Sequence, residues 1–328
     1  MRTGKSFFFS ITLVAASVAV SLAFAEVFLR VKNASMRNYD IEMWRYSKEL
    51  KVRIDDPAID FVHARSKSAV LESVEIRLNT WGLRGREPTS PLPTERRILF
   101  LGGSITLGWG VKEDDTEEVR LEKMLKAAGL NAQVLNGGVA NYNAERYVSR
   151  FFRELTELKP TDIVVQYFLR DAEDLAPGIE NFLLRHSQLA ITLWIAYQRL
   201  VDQPGEKSLE EYYRRVYQSS APGFLKMKAH LRRLADYARQ QGVRIYLAMT
   251  PDVRSLTDYK LGFVHELARE VAGENGYIYI DLLPAMQRRT PQELFVMPGD
   301  PHPNGLGHQL MANAIFQVVA AKTAALAK

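Results

Sequence analysis

Arg97–Gly110, RILFLGGSITLGWG, is the stretch whose reading decides the fold. Arg97–Leu101 is a short apolar run bounded by charge and reads as a buried strand. Gly102 and Gly103 break it, Ser104 follows, and Gly108 and Gly110 punctuate what comes next. A strand that enters a glycine turn with a serine at its tip puts a hydroxyl at the carboxyl end of a sheet, where open α/β sheets place their chemistry. A tight β-turn with a solvated serine fits the same residues, so the rest of the chain has to decide.

Working outward, a βα rhythm repeats. Glu117–Ala128 is an amphipathic helix stopped by Gly129, and Gln133–Leu135 is a short strand ending in Asn136-Gly137-Gly138. Glu145–Leu158 is a second helix closed by Pro160, and Thr161–Phe168 a third strand. Helix Phe224–Gln241, strand Val243–Met249, helix Lys260–Ala272, strand Tyr277–Ile280 and a final helix Leu306–Leu326 complete the series. Short apolar strands alternating with helices imply a five-stranded parallel sheet covered on both faces, a three-layer α/β/α domain. One excursion, at about 171–223, interrupts the rhythm. It carries helical pieces near Asn181–Val201 and Leu209–Tyr217, with Phe182, Trp194, Tyr197, Tyr212, Tyr213 and Tyr217. It follows the carboxyl end of a strand, so it reads either as a lid or substrate platform or as a helical excursion packed at the side.

The N-terminal side is different. Phe7–Ala25 carries no charge and, as a helix, spans about 28 Å, close to the hydrocarbon core of a bilayer. Its length favours an uncleaved anchor over a signal peptide, although Ala23-Phe24-Ala25 has the small residues of a cleavage site. Arg30, Lys32 and Arg37 lie beyond the run, so flanking charge does not settle the orientation. The folded domain behind it favours an N-in, C-out chain with its bulk in the periplasm. The expected division is an anchor or signal segment at 1–30, an extension at 31–95 that packs on the core, and the α/β domain at 96–328, which includes the excursion at about 171–223. Within the extension, Ile41–Val52 reads as a helix, Ser68–Leu78 as strand-like, and Pro88, Pro91 and Pro93 as a stiff linker.

The chain has 328 residues, no cysteine and a net charge of +5. Disulfides, thiolate catalysis and cysteine-based zinc sites are excluded. The basic residues are scattered, which argues against a nucleic-acid footprint. No cofactor is expected.

The second candidate site is Met297–His308, MPGDPHPNGLGH, a constrained loop before the last helix. It holds Asp300 close to His302. A neutral imidazole can accept a serine proton, and a carboxylate can fix its tautomer. Ser104 needs such a base, because a free hydroxyl is a poor nucleophile at neutral pH. His308 reads as a structural residue at the helix start. Three ligands within Asp300, His302 and His308, with no further cluster, make a poor metal site.

Three motifs together resemble the SGNH (GDSL) hydrolase superfamily. They are Gly-x-Ser at 102–104, Asn-Gly-Gly-Val-x-x-Tyr-Asn at 136–143, and Asp-x-His-Pro-Asn-x-x-Gly-His at 300–308. Met43–Tyr46 and Asn79–Arg84 are similar to segments of a membrane-anchored bacterial branch. The resemblance implies a flavodoxin-like fold, Ser104 as nucleophile, His302 as base and Asp300 as its orienting partner. It implies an oxyanion hole from Ser104, Asn141 and Arg170; Gly138 and Trp109, which lie within or beside these motifs, are the expected substrate-binding positions. The chain departs from the family pattern at Gly103, where an acidic residue is usual, at Asn141 for a glycine, and at Arg170 for an asparagine. The Asp-x-His spacing is one residue short.

The expected function is a serine-dependent acyl-ester hydrolase or O-acyltransferase outside the cytoplasmic membrane, acting on O-acetyl groups of a polysaccharide. The expected partners are an ester-bearing glycan or small acyl ester, the membrane itself and a membrane acyltransferase, and no nucleic acid. The alternative is a catalytically weak domain of the same fold, serving as a glycan-binding or scaffold subunit.

Overall fold

The computed structural model describes residues 2–34, 38–90, 95–176, 181–201, 208–298 and 300–326. Arg37, Pro91, Pro93 and Gly299 lie outside the described residues. The chain divides into two compact units, Met1–Lys48 with Gly178–Gly205, and Glu49–Pro177 with Glu206–Lys328.

The first unit is helical. Helix α1 runs Arg2–Ala34 and contains Phe7–Asn33, long and apolar enough to cross a bilayer, with mean hydropathy 2.2 and an exposed surface. By length and composition it fits an anchor or a signal sequence alike. Helix α2 (Tyr39–Leu50) follows. It is the helix expected over Ile41–Val52, except that Lys51–Arg53 leaves it as a strand, β1.

In the second unit, β1 pairs antiparallel with β2 (Phe61–His63). Strands β3 (Ser68–Leu71) and β4 (Val74–Arg77) form a hairpin across Glu72-Ser73, both at positive φ. The sequence reads as one strand there because the turn has none of the Asn-Gly chemistry that normally marks such a bend. The main sheet begins with β5 (Arg96–Gly102). Helix α3 (Ser104–Leu107), helix α4 (Glu117–Ala127), strand β6 (Ala132–Asn136), helix α5 (Ala144–Arg150) and strand β7 (Asp162–Tyr167) follow. Two helices of the first unit, α6 (Phe182–His186) and α7 (Gln188–Val201), come next in the chain. Helix α8 (Leu209–Val216), helix α9 (Pro222–Gln241), strand β8 (Arg244–Met249), helix α10 (Gly262–Asn275) and strand β9 (Ile278–Asp281) complete the sheet. Short helices α11 (Leu283–Met286) and α12 (Pro291–Leu294) lead to α13 (Gly305–Leu326).

The strand order is β6-β5-β7-β8-β9, all parallel, which is the flavodoxin-like order. Every residue of β5 is buried because both faces are covered. Ile98 and Phe100 meet Leu121, Leu125, Met311 and Ile315 of α4 and α13. Leu99 and Leu101 point the other way, into a core with Tyr147, Leu231, Leu234 and Val264 of α5, α9 and α10. At the amino end of the strands, buried Asp162 is held by Arg96 at 2.6 Å and Arg244 at 2.8 Å. Burial alone would raise its carboxyl, but the Arg96 bonds override it and hold the group below its usual range. The carboxyl end is left to the glycine turn.

The excursion at about 171–223 is not one platform. Residues 181–201 belong to the helical unit, while α8 lies in the sheet unit with Tyr213 and Tyr217 buried in its core. The Tyr217 hydroxyl bonds to the Tyr167 hydroxyl at 2.8 Å and to the Leu169 carbonyl at 2.9 Å. These two tyrosines are packing residues, because burying their rings removes large apolar areas from water and their hydroxyls find partners inside.

Candidate active site

Ser104 is the first residue of α3, at the carboxyl end of β5. Its Oγ lies 2.7 Å from Nε2 of His302. His302 Nδ1 bonds to Oδ1 of Asp300, and the His302 backbone N–H donates to the same oxygen at 2.9 Å. A carboxylate can only accept, so Nδ1 carries the proton and Nε2 is left to accept from the serine. Both His302 and Asp300 are buried. The backbone bond explains how Asp-x-His suffices: an aspartate that caps the N–H two residues on is already beside that residue's side chain.

The loop around this pair is braced. Val296 N–H donates to the His302 carbonyl at 3.0 Å, and Asn304 Oδ1 caps α13 by accepting from Leu306 and Gly307. His308 is buried, and its Nδ1 accepts the N–H of Glu117, the first residue of α4, at 3.2 Å. Burial pushes its imidazole down to about 3, so it stays neutral and structural. His302 therefore faces Ser104 while His308 faces a helix start, and the two do not converge on one point.

Asn141 has φ of 66°. The left-handed region favours glycine, and asparagine tolerates it better than most residues, so the departure at this position keeps the backbone path. Its carbonyl accepts from Arg146 at 3.0 Å, which braces the loop. A Cβ at Gly103 would lie 3.2 Å from the Tyr142 carbonyl, one residue beyond Asn141. A side chain at Gly103 would crowd the loop that carries Asn141, which would have to give by a few tenths of an ångström.

Arg170 lies on an exposed turn after β7, with its Nε on Glu173 at 3.0 Å. The Glu173 carboxylate also accepts from the Tyr213 hydroxyl at 3.2 Å. Asp171 is buried and accepts from the Tyr147 hydroxyl at 2.9 Å. Burial pushes its carboxyl up to about 8 despite that bond.

Two expected substrate-binding positions, Trp109 and Gly138, are placed inside the fold. Trp109 is 1% exposed and belongs to the interior. Gly138 is also buried. A Cβ there would run into the backbone of Thr106 and Leu107, so this glycine lets the end of β6 close on α3.

A residue that sequence reasoning gave no role is Arg84. Its buried guanidinium donates to the carbonyls of Leu107, Gly108 and Val111, each at 2.6 Å. Leu107 is the last residue of α3 and Gly108 its cap, where a helix leaves carbonyls without intrahelical partners, and Val111 lies in the turn that follows. Arg84 thus anchors the far end of the helix that starts at Ser104. Its own N–H donates to the Asn136 carbonyl at 3.1 Å, tying it to the end of β6. The Asn79–Arg84 resemblance was the available signal, but nothing in it pointed to the serine. Arg254, after β8, is a second such residue. Its bonds to Asp252 raise it above the usual arginine value, and the field of Asp300 adds to this. Asp300 Oδ2 has no hydrogen-bond partner among the described residues.

A family model described as "GDSL-like Lipase/Acylhydrolase family" matches residues 100–310. No curated protein sequence matches the chain. Among solved structures, the chain is similar to Axe2, an acetylxylan esterase from Geobacillus stearothermophilus, at 17% identity and a TM-score of 0.43, over 68% of this chain and 93% of that one. It is similar to an acetyl xylan esterase, AlAXEase, at 13% identity and a TM-score of 0.43, over 68% and 99%. It is similar to an α/β-hydrolase enzyme from the metagenome of Lake Arreo, Spain, at 18% identity and a TM-score of 0.44, over 68% and 94%.

Proposed function

Because this chain belongs to the GDSL-like lipase/acylhydrolase family, we propose that it is a serine-dependent acyl-ester hydrolase or O-acyltransferase that works on O-acetyl groups of a polysaccharide outside the cytoplasmic membrane. The observation that carries this reading is the hydrogen-bonded series Ser104 Oγ, His302 Nε2 and Nδ1, Asp300 Oδ1. Ser104 Oγ attacks the ester carbonyl carbon as its proton passes to Nε2. The tetrahedral intermediate collapses, and the leaving alkoxide takes the proton back from Nε2. The acyl group is then carried on Ser104. Water or a sugar hydroxyl gives its proton to His302 Nε2 and attacks the acyl carbon, and collapse of this second intermediate expels Ser104 Oγ, which takes the proton back from Nε2.

Negative charge develops on the carbonyl oxygen, and fixed donors near it lower the barrier. In this reading the donors are the N–H groups of Ser104 and Asn141, with Arg170 in place of the family's asparagine. A guanidinium is a charged donor, and such hydrogen bonds are stronger than neutral ones. Asp300 stabilises the imidazolium formed during attack. The apolar helix α1 serves as the anchor, with the catalytic domain on the periplasmic side. The acceptor follows from the place: a domain tethered there meets both water and surface glycans, and a membrane acyltransferase is the partner that would supply acyl groups for transfer.

The test is covalent labelling of the full chain in detergent with a small fluorophosphonate, followed by intact mass. A single adduct, lost in Ser104→Ala and His302→Ala, is expected. No adduct on folded protein would sink the acyl-enzyme mechanism. Acetate release from an acetylated glycan, with and without an unacetylated acceptor glycan, then separates hydrolysis from transfer.

A further inference from the structure

The helical unit holds an amphipathic face turned the wrong way for a water-soluble protein. Helix α7 leaves Leu193, Ala196, Tyr197, Leu200 and Val201 exposed. Those positions recur at helical spacing and make one stripe. Phe182 and Leu183 of α6 are exposed beside it in sequence. Outside α1 the other exposed large apolar residues, such as Val52, Val70 and Leu225, are scattered singly, as on any surface. A continuous apolar stripe is different and marks a surface that meets something apolar.

The stripe is tied to α1. The Glu26 carboxylate accepts from Ser187 Oγ at 2.8 Å and from the N–H groups of Gln188 and Leu189 at 3.0 and 2.9 Å. It is therefore the cap of α7, and a carboxylate suits the positive end of a helix. Arg30 bonds Glu26 at 2.7 Å and the His186 carbonyl at 2.9 Å, and Asn33 bonds Gln188 at 3.0 Å. These contacts explain the one carboxylate in the apolar run. Glu26 lies about 28 Å along the helix from Phe7, which is where a spanning helix reaches the headgroups. The elbow between α6 and α7 is thus pinned at the depth of the interface.

Composition names the occupant. Residues 181–201 contain no Asp or Glu but carry Arg185, His186 and Arg199, with Trp194 and Tyr197 among the apolar residues. Basic residues with Trp and Tyr beside an apolar stripe suit an interface with anionic headgroups. We infer that α6 and α7 form a second membrane contact, lying in the lipid interface where α1 emerges. The inference rests on the reading of α1 as an anchor.

The chain has no cysteine, so single cysteines report cleanly. The full chain bearing Leu193→Cys or Leu200→Cys is labelled with an environment-sensitive fluorophore and reconstituted in vesicles of phosphatidylethanolamine and phosphatidylglycerol. Val14→Cys in α1 and Lys123→Cys on α4 are the references. Labels at both α7 positions are expected to shift to the blue and to lose severalfold of their quenching by iodide, relative to the Lys123 label. Aqueous behaviour at both α7 positions with an embedded Val14 label overturns the inference and leaves the anchor standing. An aqueous Val14 label removes the anchor reading and, with it, the second contact that depends on it. Shielding of α7 in native membranes but not in lipid vesicles overturns it in favour of a protein partner.

Discussion

The Arg84 guanidinium stands 2.6 Å from the carbonyl oxygen of Gly108, the residue that ends the short helix begun by Ser104. Gly108 has φ of 75°, and the carbonyls of Leu107, Gly108 and Val111 all turn toward this one side chain. A residue of the extension thereby holds the far end of the helix that begins at Ser104.

Arg84→Met keeps the stem and removes the donors. The helix end loses its partners, and Ser104 loses its fixed place against His302. A misplacement of this kind is expected to lower kcat on an aryl acetate about 100-fold. KM should change little, since no substrate contact is lost. Hydrogen bonds from a charged group contribute about 1.5–3 kcal/mol each, so a clear drop in the urea midpoint is also expected. Partial recovery of kcat in Arg84→Lys would tie the effect to the carbonyl contacts. An unchanged kcat in a folded Arg84→Met protein would refute the positioning role.

Asp300→Asn tests the tautomer. An amide can present N–H₂ to Nδ1 and hold the ring with its proton on Nε2, where it cannot accept from Ser104. Loss of about 10⁴ in kcat is expected, with the fold intact. Stopped-flow acylation with an activated ester would show the loss in the first step.

Asn141 separates backbone from side chain. Asn141→Gly keeps φ of 66° without strain, and activity within about threefold of the parent chain is expected, since glycine costs little there. Asn141→Val places a β-branched residue in the left-handed region at a cost of about 1–3 kcal/mol. Both the thermal midpoint and kcat should fall in that variant alone.

Arg170 is exposed, so its removal should leave stability within about 0.5 kcal/mol. As an oxyanion donor it should be worth about 100-fold in kcat. Arg170→Ala that keeps full kcat would return the oxyanion hole to the two backbone donors.

Asp171 makes stability depend on pH. Its folded-state value is pushed up to about 8 from an ordinary 3.8. Between those values the folded chain holds a proton that the unfolded chain has released. Stability therefore falls as pH rises through this window. Buried Glu118, pushed up to about 8, acts in the same direction. Asp171→Asn keeps a partner for Tyr147 and removes one titration. The loss of urea midpoint between about pH 5 and about pH 8 should be smaller in that variant. An equal loss in both proteins would show that Asp171 is ionised in the folded state.

The sheet was legible because its strands are short apolar runs that nothing else explains. Arg97–Leu101 and Thr161–Phe168 announce themselves by composition, and the helices between them by period. The Ser104, His302 and Asp300 set was legible because each lies in a glycine- or proline-bound loop, where local chemistry sets the backbone. The hairpin turn at Glu72-Ser73 was not, since its positive φ values are imposed by strand pairing and leave no mark in residue type.

The amino-acid sequence by itself determined the five-stranded α/β domain, the apolar N-terminal helix and which residues could act as nucleophile and base. Periodicity and turn chemistry are local, so they survive in a string of letters. Tertiary structure alone decided that Trp109 and Gly138 are interior, that Arg84 grips the helix of Ser104, and that Glu26 caps α7. Each of these depends on contacts between residues far apart in the chain, and a side chain's burial or partner is set by what folds against it.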